Sequence, residues 1–248
     1  MKIMFRFALV ALAACFALHA DNVAYINDDG GSLAYLTGYG HNVTYINDPV
    51  GLTLGDLAGY NAVIVASNIA FTQPANIGNV LEQFANAGGG VVLTEFDFQS
   101  YWALGGGIMT AGYSPFGIDP GYAFYVPGYL GTINDPSSPL LTGVNTANVY
   151  TEFQADMAPT AGATLVASWA TGRPAIGYDT LADSKVVGLN LFPDQAYTSN
   201  SDTQLLVSNA ISFSETGGAV VPEPTSIVLL GTMIAILGTR LRRKAAKG

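Results

Sequence analysis

Three consecutive stretches carry the reading of the fold: Asn61–Ser67 (NAVIVAS), Ile77–Ala87 (IGNVLEQFANA) and Gly88–Phe96 (GGGVVLTEF). The first is apolar nearly throughout, as a strand covered on both faces must be. In the second, Ile77, Val80, Leu81 and Phe84 recur at helical spacing. Gly88, Gly89 and Gly90 stop that helix, and Gly90–Phe96 reads as the next strand. Strand, helix, strand in this rhythm is the pattern of a parallel sheet covered by helices.

Working outward, Asn22–Asn27 (NVAYIN) and Asn42–Asn47 (NVTYIN) are earlier strands, followed by short helices over Ser32–Tyr39 and Thr53–Gly59. Tyr101–Thr151 is rich in Gly, Pro and Tyr and reads as loops and short strands laid over the edge of the sheet. Ala163–Ala170, Pro174–Tyr178 and Lys185–Asn190 follow as strands, and Thr203–Phe213 as a closing amphipathic helix. The expectation is a flavodoxin-like α/β domain over residues 21–216, a mostly parallel sheet with helices on both faces. The repeat of Tyr25-Ile26-Asn27-Asp28 as Tyr45-Ile46-Asn47-Asp48 reflects one way of ending a strand with turn residues, not an array.

Charge is distributed unevenly. The 248 residues carry a net charge of −9, with 11% charged and 50% apolar, which excludes a disordered chain and a nucleic-acid binder. Seventeen of the eighteen acids lie between Asp21 and Glu215, against two bases there, Arg173 and Lys185. That body has a formal charge of −15, and the remaining bases sit at the chain's two ends.

Those ends read as addresses. Lys2 and Arg6, the apolar run Phe7–Leu18 and the small residues before Asp21 make residues 1–20 a signal peptide, cut by signal peptidase after Ala20. Leu12-Ala13-Ala14-Cys15 also fits a lipobox, the alternative being a lipoprotein anchored through Cys15, the chain's one cysteine. At the other end, residues 217–248 hold Pro222-Glu223-Pro224 within the motif 221–226, an apolar helix over 227–239 and a basic tail over 240–248 with Arg240, Arg242, Arg243 and Lys244. This three-part order closely resembles the PEP-CTERM sorting signal. The resemblance implies a Gram-negative bacterium that makes extracellular polysaccharide, a transient transmembrane anchor with its basic end cytoplasmic, and cleavage by an exosortase. The protein is then exported through the inner membrane to the cell surface or extracellular matrix.

The body resembles the class I glutamine amidotransferase-like superfamily. The likeness rests on the Asn61–Ser67 strand, the Ile77–Ala87 helix and Gly88-Gly89-Gly90-Val91-Val92-Leu93. A late segment adds to it, Gly188-Leu189-Asn190-Leu191-Phe192-Pro193-Asp194, where the family runs from a strand into His-Pro-Glu. The resemblance implies a nucleophilic Cys near Thr94 or Glu95, a His at Phe192 and a Glu at Asp194. This chain has neither thiol nor imidazole there, so glutamine hydrolysis by a thioester route is excluded.

Ligands of open α/β sheets bind beyond the carboxyl ends of the strands, here Asn27, Asp28 and Asp29, Asn47 and Asp48, Ser67 and Asn68, Glu95 and Asp97, and Asp194. Glu95 and Asp97, two apart, share a side if their strand continues. With Asp194 they are the candidate acids of a hydrolase. Asp28 and Asp29 are candidate ligands for Ca²⁺, the one cofactor considered. The competing reading is that these are turn residues. A Ser67–His41–Asp28 triad fails on topology, since His41 begins its strand and Ser67 ends one; His41 reads as a surface turn residue. Tyr101, Trp102, Tyr113, Phe116, Tyr122, Phe124, Tyr125 and Tyr129 suit either a carbohydrate contact surface or the burial of a Gly-rich cover. The function expected is non-catalytic binding or structuring in a polysaccharide matrix, with a carboxylate-dependent, Ca-assisted extracellular hydrolase of glycans as the alternative.

Overall fold

A computed structural model describes residues 21–121 and 125–216. The signal peptide with Cys15, the Pro-Glu-Pro motif, the apolar helix, the basic tail, Tyr122 and Phe124 lie outside the described residues. Among the described residues no helix is long and apolar enough to cross a membrane.

The described strands are β1 (Asp21–Asn27), β2 (His41–Asn47), β3 (Ala62–Ala66), β4 (Gly90–Thr94), β5 (Tyr125–Ile133), β6 (Tyr150–Phe153), β7 (Thr164–Trp169), β8 (Pro174–Thr180) and β9 (Lys185–Leu189). They form one sheet in the order β2-β1-β3-β4-β9-β8-β7-β5-β6. From β2 to β9 every pair is parallel, and from β9 to β6 every pair is antiparallel. The sheet is thus evenly mixed and not mostly parallel. The reason is connection length: β7 returns to β8 and β8 to β9 through four-residue turns, which can join only antiparallel neighbours.

Two further expectations need correcting. The Gly- and Tyr-rich middle contributes the nine-residue β5 to the sheet itself instead of merely covering its edge. The short helices over Ser32–Tyr39 and Thr53–Gly59 are single 3-10 turns, Ala34–Tyr39 and Leu54–Leu57. Both are too short to sustain an α-helix, and the first ends on Gly40 at φ 94°.

Two α-helices cover the two faces. Alternate strand residues point to opposite sides. Ala24, Ile26, Val63, Val65, Val91 and Leu93 meet Ile77, Val80, Leu81 and Phe84 of α1 (Pro74–Asn86). Val23, Tyr25, Ile64, Val92 and Val187 meet Leu206, Val207, Ala210 and Ile211 of α2 (Ser201–Ser214). Asn200 starts α2 by accepting the Thr203 amide at 2.8 Å.

Gly78 sits where α1 presses on the Gly105–Gly107 loop, and a Cβ there would overlap the carbonyl oxygen of Gly105. Gly78→Ala gains about 1 kcal/mol of helix propensity but forces backbone apart. A net loss of about 2 kcal/mol is expected in chemical denaturation, and unchanged or raised stability would contradict this packing.

Candidate functional site

The order β2-β1-β3-β4-β9 places the reversal of winding between β1 and β3, where open α/β sheets bind ligands. In this chain its own side chains span that crevice. Asp28, just past β1, accepts the Asn68 amide at 2.9 Å and the Ile69 amide at 3.1 Å, both just past β3. Asp29 accepts from the Asn68 side chain at 2.5 Å and from the Gly31 amide at 2.9 Å. Asn27, fully buried, turns the chain by accepting the Asp29 and Gly30 amides at 2.8 and 3.0 Å. Burial raises Asp28 to about 6 against the opposing pull of its amide donors. Among the described residues no three His, Cys, Asp or Glu side chains are grouped as a metal would need.

The exit of β4 holds the next pair. The strand stops at Thr94 and Glu95–Phe98 forms a 3-10 turn, so Glu95 and Asp97 do not follow strand alternation. Asp97 is fully buried and accepts the Thr94 amide at 2.7 Å, the Ser67 amide at 3.2 Å and the Ser67 hydroxyl at 3.1 Å. Burial still raises it to about 7, because three hydrogen bonds do not replace bulk water around a carboxylate. Asp48 is the one non-glycine described residue at positive φ, so the strained backbone of a nucleophile elbow is missing at Glu95.

Glu95 is fully buried and accepts the side-chain N–H of Gln99 on Oε1. Its Oε2 and Gln99 Oε1 are both buried and without a partner. Burial drives the Glu95 carboxyl well above the ordinary range. The Gln99 bond opposes this, Asp97 and Asp119 add to it, and Arg173 offsets part. A proton on Oε2 would convert that orphan acceptor into a donor. The sequence missed Gln99, although its place four residues after Glu95 was the available signal.

Asp194 is in a separate setting. It accepts the Ala196 amide at 2.7 Å and also the Ser32 amide, which ties the exit of β9 to the loop after β1. Phe192, where the family's His would stand, is buried among Phe96 at 5.2 Å, Tyr197 at 5.6 Å and Phe153 at 6.2 Å. Asp97 and Glu95 lie within electrostatic reach of each other, whereas Asp194 acts on Tyr25 and Tyr35 instead.

His41 is buried and not a surface turn residue. Its Nε2 meets Ser208 Oγ at 2.8 Å and its Nδ1 lies 3.5 Å from Asp21 Oδ2. This triad-shaped set joins the starts of β1 and β2 to α2, away from Ser67. Ser208 lies inside a helix whose amides are spent on helical bonds, which leaves no oxyanion donors beside it. Of the aromatics, Phe116 is core, Tyr113 bonds Asn86 at 3.0 Å and Trp102 stands edge-on to Phe96 at 5.0 Å. Tyr125 and Tyr129 are exposed.

No family model and no curated protein matches the chain. Solved structures do. A cytoplasmic protein from Salmonella typhimurium superposes with a TM-score of 0.59 at 12% identity, over 77% of this chain and 98% of its own. A ThuA-like protein from Bacteroides uniformis gives 0.55 at 11%, over 79% and 91%. A glutamine amidotransferase from Thermotoga maritima gives 0.51 at 10%, over 80% and 99%. The body therefore has a glutamine amidotransferase-like α/β fold, and at these identities the likeness is one of fold.

Carboxyls raised by folding stabilise the native state below the ordinary carboxylate range, and that stability is lost as pH rises through their native values. With Asp28 near 6, Asp97 near 7 and Glu95 raised by burial well above the ordinary range, the purified protein should melt at a higher temperature at pH 5 than at pH 8. Glu95→Gln keeps an oxygen to accept from Gln99 but has no proton to take up, so it should narrow that difference. An equal drop at both pH values would sink the neutral-acid assignment.

Proposed function

We propose that the protein is exported, sorted by its PEP-CTERM-like tail to the cell surface or polysaccharide matrix, and acts there by binding and not by catalysis. The observation that carries the non-catalytic reading is the occupation of Asp28, Asp97 and Asp194 by main-chain amides of the chain itself. A hydrolase needs two carboxyl groups turned on one bond, an acid and a base or nucleophile. A calcium-assisted variant needs oxygens free for the ion, and those of Asp28 and Asp29 already accept hydrogen bonds. The order of the tail and the confinement of bases to the two ends support the sorting assignment.

Two experiments test this. Full-length protein mixed with the host's extracellular polysaccharide should be retained without producing new reducing ends; reducing ends that disappear in Asp97→Asn would favour the hydrolase. Alanines at Pro222, Glu223 and Pro224 should leave uncut, membrane-retained chain, and normal release would defeat the sorting assignment.

A further inference from the structure

The β5–β6 pair at the edge of the sheet presents a face that the core does not use. Tyr129 stands opposite Tyr150 and Gly128 opposite Thr151. Thr151 is buried, so Tyr150 and Glu152, its neighbours on either side, share the outward face. The Tyr129 and Tyr150 rings are 5.1 Å apart and tilted by 54°. Tyr125 and Tyr129 are 63% and 56% exposed. Clustered aromatic rings left half in water mark a contact surface more often than isolated ones do. Partial burial and then Glu152, Tyr125 and Tyr129 push the Tyr150 hydroxyl up, but the Tyr125 ring turns to Phe153, its partner in the ladder, at 6.0 Å.

Charge narrows what that surface takes. Both bases of the body are already engaged, Arg173 at the end of β6 and Lys185 away from it. Arg173 donates to the Gln154 carbonyl at 2.5 Å and lies 3.8 Å from Asp156, while Lys185 sits over the Phe213 ring at 4.8 Å. Against seventeen acids they leave a formal −15, still strongly negative when buried Glu95 and Asp97 hold their protons, a field that repels an anionic polysaccharide, is indifferent to a neutral one and attracts a basic one. Tyrosine faces beside a carboxylate are also the combination that holds an ammonium group, by cation–π attraction and charge pairing together.

We propose that Tyr129, Tyr150 and Glu152 form a binding site for a basic amino-sugar polymer, whose rings lie on the tyrosines with an ammonium against Glu152. The inference rests on the reading of the protein as a matrix-binding module and adds the place and the ligand class.

The test is titration of the full-length protein in detergent with a β-1,4-linked glucosamine hexamer, its fully N-acetylated counterpart and hexalysine. The glucosamine hexamer should bind about tenfold more tightly than the other two, and less so at high salt. Tyr129→Ala should weaken both sugars, and Glu152→Gln the basic one alone. Both side chains face outward, so an unchanged melting temperature will show that the variants are folded. Equal binding of the two sugars with Glu152→Gln silent overturns the ammonium assignment but leaves glycan binding standing. Hexalysine matching the glucosamine hexamer overturns sugar recognition. Full affinity in Tyr129→Ala overturns the site, and no binding of either sugar overturns the proposal, with polysaccharide retention then deciding the matrix reading separately.

Discussion

Main-chain amides at the carboxyl ends of the parallel strands need acceptors once the loops that carry them turn into the protein, and aspartates supply them. Each ties the exit of its own strand to that of another. Asp97, after β4, holds Ser67 after β3; Asp28, after β1, holds Asn68 and Ile69 after β3; Asp194, after β9, holds Ser32 after β1. The crevice that this architecture offers to ligands is spanned by hydrogen bonds between the chain's own residues. Burial of these acids lifts Asp28 and Asp97 toward neutrality, and at the same edge burial also raises Glu95 beside Gln99.

Much of the fold was legible because its central strands are apolar on both faces and α1 has a plain helical period. β3, α1 and β4 lie where NAVIVAS, Ile77–Ala87 and the triple glycine put them, within a few residues. The direction of the later strands was not legible. Pro174–Tyr178 and Lys185–Asn190 look alike whether parallel or antiparallel, and only the four-residue turns before them decide. β5 was hidden by Gly128, Gly131 and Pro127, which break the apolar alternation that marks a strand.

Of the site, the residue types at the strand ends were legible and their partners were not. Asp and Asn after strands read as turn formers, which Asn27 is. That Asp97 reaches across to Ser67, thirty residues earlier, is a tertiary fact. The alternation of Glu95 and Asp97 failed because β4 ends at Thr94 and tightens into a 3-10 turn. His41 was misread as exposed because its partner, Ser208, is far along the chain. The glutamine amidotransferase-like fold carries a buried carboxyl at Glu95 and a buried phenyl ring at Phe192, and in the proposed reading recognition sits on the tyrosine-bearing edge.

The central claim is that Glu95 stays a neutral, internally bonded acid in the folded protein. Carboxyl ¹³C NMR of the folded protein, with Glu95 assigned from the spectrum of Glu95→Gln, tests it most directly. The Glu95 carbon should keep the position of a protonated carboxyl through the ordinary carboxylate range, where exposed acids titrate, and shift only above it. A Glu95 carbon that titrates with those exposed acids would contradict it.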